Sequence, residues 1–127
     1  MRCMFALLLT MGFALLGCGS SSDGVMPKAR DVLTREELEN SPAKDAYEAI
    51  RLHRPMFLAS RRVKDQSHTA ALPAVYLNGM YYGETESLRN IHVRDIQDIR
   101  YLDAREATMI YGTGHIAGAI LVTTRIQ

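Results

Sequence analysis

Two cysteines, four histidines and one glycine-rich stretch are the features of this 127-residue chain whose types and spacing could support chemistry. Cys3 and Cys18 both fall among the first 18 residues, so nothing after them offers a thiol for attack, disulfide formation or metal binding. His53, His68, His92 and His115 lie in four separate segments, without the i, i+4 pairing that sets two imidazoles on one side of a helix. No metal site is expected from them. Gly112, Gly114 and Gly118 look superficially like a phosphate loop, but they follow a helical pattern and lead into a strand, the reverse of a dinucleotide loop. No serine sits in a glycine-flanked strand-to-helix turn that would make it a nucleophile. The expectation is a domain with no catalytic centre and no cofactor.

Cys18 is the exception, because of what precedes it. Met1-Arg2-Cys3 is a short positive start, and Met4 to Leu16 is an apolar run too short to span a bilayer comfortably and right for a signal-peptide core. The run ends in Leu15-Leu16-Gly17-Cys18. That tetrapeptide resembles the bacterial lipobox, with leucine at −3 and a small residue at −1. The resemblance implies cleavage before Cys18, a diacylglyceryl thioether on its sulfur and usually a further acyl chain on its amine. Two or three acyl chains anchor a protein stably to a lipid bilayer, where one holds it only marginally. The sorting rule that goes with this resemblance, with Gly19 and not Asp after the cysteine, points to the outer membrane in a host that has one. The expected organisation is a lipoprotein signal peptide over 1–17, the lipidated cysteine and a Gly/Ser-rich polar tether over 18–30, and one domain over 31–127.

The elements behind this anchor are legible from local chemistry. Thr34 and Glu37 have the spacing of a capping box, and Ser41-Pro42 places a capping side chain before a proline at a first helical position. Ala43, Ala46, Tyr47 and Ile50 then form one apolar stripe, with Pro55 closing the helix. Arg61 to Thr69 has no period and reads as a surface loop, and its cations Arg61, Arg62 and Lys64 are too few to imply a phosphate ligand. Asn78-Gly79 between Ala74-Val75-Tyr76-Leu77 and Met80-Tyr81-Tyr82 marks a tight hairpin, since both turn residues reach positive φ cheaply. A helical turn is expected over Ser87 to Ile91 and an extended segment through Ile96 to Leu102. Ala104, Ala107, Thr108 and Tyr111 share a helical face that Gly112-Thr113-Gly114 ends. Ala119 to Thr124, β-branched and apolar on both faces, fits an interior strand. The order predicts an α+β domain.

Two resemblances follow from these stretches. Leu102-Asp103-Ala104-Arg105 and Gly114-His115-Ile116-Ala117-Gly118-Ala119 resemble two short motifs of the rhodanese sulfurtransferases, a resemblance that implies a five-stranded parallel sheet. Persulfide chemistry needs a low-pKa cysteine beyond the second motif, and none follows Cys18 here, so sulfur transfer is not expected. A degenerate rhodanese-like domain or a cryptic enzyme using Asp103, Arg105 and His115 is the alternative reading. Over residues 74 to 125 the chain also resembles the C-terminal half of the plug domain of TonB-dependent outer-membrane receptors. The parallels are Val75-Tyr76-Leu77-Asn78-Gly79, Leu88 to Ile91, Asp95 to Ile99, Ala107 with Tyr111-Gly112, and Gly118-Ala119-Ile120-Leu121-Val122-Thr123-Thr124-Arg125. This resemblance implies a small plug-like domain with a mixed β-sheet and short helices. Asn78, Gly79, Gly112, Gly114 and Gly118 are its structural turn positions, and no binding residue is carried over.

Charge narrows the class of partner. With Arg2 removed along with the leader, 14 cationic and 14 acidic side chains remain, so no polyanion is favoured and no nucleic-acid partner is expected. The functional expectation is a non-catalytic binding or interaction module in the cell envelope, anchored by lipid at the outer membrane, with an outer-membrane protein as possible partner.

Overall fold

The structure, a computed structural model, describes residues 30–62 and 70–125. Cys18 and the tether as far as residue 29 lie outside them, as do Lys64 and His68. The first strand, β1 (Val32–Leu33), runs into helix α1 (Arg35–Glu39), whose start is fixed by the expected capping box. The Thr34 amide donates to Glu37 Oε2 at 2.9 Å, and the Thr34 side chain accepts the Glu37 amide in return.

Helix α2 spans Ala46–His53 and is capped by Asp45, which accepts from the Glu48 amide at 2.8 Å. The expected start at Ser41-Pro42 is therefore displaced. Its physical cause is long-range: Ala46 N–H donates to Ile91 O and Val93 N–H to Lys44 O, which holds the chain before Ala46 extended against residues 91–93. Ser41 instead closes a local turn, its Oγ accepting from the Ala43 amide at 3.2 Å. After α2, Pro55 opens a short 3-10 turn, Pro55–Leu58, that seats Phe57 in the core.

The loop expected from Arg61 is closed at its base by a two-residue antiparallel ladder between β2 (Arg61–Arg62) and β3 (Ala70–Ala71). A hairpin follows, β4 (Ala74–Leu77) and β5 (Met80–Glu84), turned by Asn78 at φ 50 and Gly79 at φ 82. The helical turn expected over Ser87 to Ile91 is a 3-10 segment, Thr85–Asn90, and a second one, Val93–Asp95, leads into β6 (Ile96–Leu102). Helix α3 (Ala104–Tyr111) and β7 (Ala119–Thr124) complete the order.

The main sheet has five strands in the order β1-β6-β7-β4-β5. β7 lies at its centre, parallel to β4 with Ala74 opposite Ala119, and antiparallel to β6 with Leu102 opposite Ala119. This is a mixed sheet with one parallel ladder, in an α+β domain. The all-parallel sheet implied by the rhodanese motifs is not formed.

Each face of the sheet buries a different cluster. On one face Val75, Ile99, Ile120 and Val122 pack with Leu33, Leu38 and Ile50 into the main core. On the other, Tyr76, Leu102 and Ala119 pack with Ala107 of α3 in a much smaller cluster. Arg35 staples the edge of the main core: its Nη1 donates to the carbonyls of Val93, Arg94 and Ile96, while its Nε pairs with Glu39 at 2.6 Å.

Candidate functional site

The smaller face gathers the reactive groups. Tyr76 leaves β4 on the side opposite Val75, so alternation along the strand puts its phenol under α3. Tyr111, one helical turn after Ala107, stacks on it with ring centroids 3.8 Å apart. Tyr81 stands beside Tyr76 in the β4–β5 register and meets it edge-on at 5.8 Å. His115 completes the group from the loop between α3 and β7, its Nε2 2.7 Å from the Tyr76 hydroxyl and its Nδ1 2.9 Å from the Gly112 carbonyl oxygen.

That geometry assigns the tautomer. A carbonyl oxygen only accepts, so Nδ1 carries the hydrogen and, in the neutral imidazole, Nε2 presents its lone pair. The Tyr76 hydroxyl therefore donates to His115. Burial raises the Tyr76 phenol above its ordinary range, and the neighbouring Tyr111 and Tyr81 push it the same way.

The turn residues named from sequence hold this loop. Gly112 caps α3 at φ 89 and Gly114 follows at φ 105. Gly118 has the tightest surroundings, because a Cβ there would collide with the Leu102 carbonyl oxygen and lie 2.7 Å from the Tyr101 hydroxyl. The backbone thus passes against β6 before entering β7.

The alternative catalytic set does not assemble. Asp103 is the cap of α3, accepting the amides of Arg105 and Glu106 at 2.8 and 2.9 Å. Arg105 is exposed on the helix. No hydrogen bond or ion pair among the described residues joins either of them to His115. The remaining described histidines also stand apart. His92 is bridged through its backbone to Asp45, and His53 has a buried Nε2 without a hydrogen-bond partner. Among the described residues no group of three or more His, Cys, Asp or Glu side chains is placed to hold a metal ion.

Several large apolar side chains in the same segments as the tyrosines stand open to solvent. Met109 and Ile110 on α3 are 78% and 61% exposed, Tyr81 is 65% exposed, and Ile116 and Met80 are also open to solvent. A separate groove of about 770 Å³ lies on the far side of the sheet, floored by Leu38, Pro42, Ala43 and Val93 and rimmed by Lys44 and Arg94. Sequence reading missed the Tyr76–His115 pair, whose members are 39 residues apart. The signal present was the alternation that sends Tyr76 to the face opposite Val75. Comparison with known protein families and with curated proteins returns no match.

Proposed function

We propose that this protein is a lipid-anchored lipoprotein of the bacterial cell envelope, tethered through Cys18 at the outer membrane, whose plug-like domain is a non-catalytic interaction module. The observation that carries the reading is the course of residues 74 to 125. A hairpin turned by Asn78-Gly79, a helix ended by Gly112 and a central strand entered through Gly118 run in the order in which the receptor plug resemblance requires them. Asp103 and His115 are engaged in holding a helix and a loop, which supports a binding role over a catalytic one. The exposed Met109, Ile110 and Tyr81 supply the apolar surface such a role needs, since an open apolar patch marks an interaction site more often than chance exposure. An envelope protein, with the outer membrane's own proteins first among candidates, is the partner class.

Two measurements test the two halves. Cells making the full chain are labelled with a fatty acid and fractionated, alongside Cys18→Ser. Label on the wild-type chain only, with the variant released from the membrane fraction, is the expected result, and an unlabelled wild-type chain refutes the anchor. A photo-crosslinking residue is then placed at Met109, with a second at exposed Glu36 on α1 as control. A discrete crosslinked envelope protein from Met109 and none from Glu36 is expected. Equal crosslinking from both sites refutes the interaction surface.

A further inference from the structure

We infer that Tyr76 is the preferred one-electron oxidation site of this domain, with His115 as the acceptor of its proton. Loss of an electron makes a phenol a very strong acid, so oxidation is easy only where a base stands ready to take the proton in the same step. His115 Nε2 stands 2.7 Å from the Tyr76 hydroxyl with its lone pair facing it, because Nδ1 is committed to the Gly112 carbonyl at 2.9 Å. The chain has six tyrosines and no tryptophan, so no indole competes for the electron.

The step balances without any group unaccounted for. A one-electron oxidant, either a high-potential metal complex or an oxygen-centred radical, accepts one electron from the Tyr76 ring. The phenolic proton crosses to His115 Nε2. The products are a neutral tyrosyl radical, a His115 imidazolium whose Nδ1–H keeps its bond to Gly112 O, and the oxidant reduced by one electron. Returning an electron draws the proton back and restores both side chains.

The surroundings favour this route over irreversible coupling. Tyr81, 65% exposed and in edge contact with Tyr76, meets an oxidant at the surface, whereas Tyr76 is only 8% exposed. Stacked Tyr111 at 3.8 Å shields the ring that carries the unpaired electron. A second protein's tyrosyl radical cannot reach it to form a crosslink.

The test uses the purified full chain with a ruthenium complex as photo-oxidant, following the tyrosyl absorption band and its electron paramagnetic resonance signal. The wild-type chain is expected to form a neutral radical more slowly in deuterated water, a readout that needs no variant. Tyr76→Phe should abolish the long-lived signal. His115→Phe should slow radical formation by roughly a hundredfold, the low end of what a positioned base contributes, and added imidazole should restore part of it. Melting curves identify any variant that fails to fold. A radical spread evenly over the tyrosines, an unchanged rate in folded His115→Phe, or no isotope effect in the wild-type chain would overturn the assignment.

Discussion

Gly118 is asked for two things at one position, a left-handed backbone at φ 83 and the absence of any side chain against the Leu102 carbonyl. Gly79 is asked for only the first, since a Cβ there meets nothing within 4 Å. Gly118→Ala should therefore lower stability by about 3 kcal/mol, combining the left-handed penalty with overpacking. Gly79→Ala should lose only about 1 kcal/mol, and the β-branched Gly79→Val about 1–3 kcal/mol. Denaturant melts of the three variants check the order, and equal losses for both alanine variants would contradict the Gly118 packing. Tyr76 adds a pH dependence. Its folded-state phenol is raised above the ordinary value of 10.0, first by burial, so its contribution is present below that pH and is lost as pH rises through the folded value. Tyr76→Phe should flatten the alkaline limb of the stability curve relative to the wild-type chain.

At the scale of elements, α1 is only five residues long and depends on its cap and on the staple from its own Arg35 to the carbonyls of Val93, Arg94 and Ile96. Thr34→Ala should cost about 1 kcal/mol. Glu37 is held below its ordinary 4.5 first by the Thr34 amide, against a smaller burial effect, and then by Arg54, which it meets at 2.8 Å. A depressed carboxyl contributes stability above its unfolded value and loses it as pH falls through the folded one. The acid limb of unfolding, below about pH 4.5, should therefore be shallower in Glu37→Gln. Titrating the melting temperature of both chains across that range decides it. In the sheet, Ile120 of β7 is fully buried at the centre of the main core. Ile120→Ala should cost about 2–5 kcal/mol, a large share of what a small domain possesses. Ile110→Ala, on the exposed side of α3, should leave the melting temperature nearly unchanged while weakening any crosslink formed from Met109.

For the molecule as a whole, the parts legible in the sequence are those decided by neighbours along the chain. Thr34 with Glu37, Asn78 with Gly79, and the β-branched run Ala119 to Thr124 each carry their structure in a few adjacent residues. What stayed hidden is decided by distant partners. Asp45 rather than Ser41 caps α2 because residues 91–93 hold the intervening chain extended, and no local rule distinguishes two adequate caps. The ladder of Arg61–Arg62 with Ala70–Ala71 and the meeting of Tyr76 with His115 have the same origin. The candidate site was thus half legible: its glycine turns were visible, while the aromatic group those turns position was not.

The place of β7 bears on when this domain can exist at all. β6 with β1, and β4 with β5, are two halves that share no ladder until Ala119–Thr124 slides between them. Synthesis runs from the N-terminus, so the piece that joins the halves is made after both of them. A nascent chain of this design has no finished sheet to lock shut until β7 itself has been made, because the two halves meet only through its ladders. The sheet closes only once that keystone strand arrives.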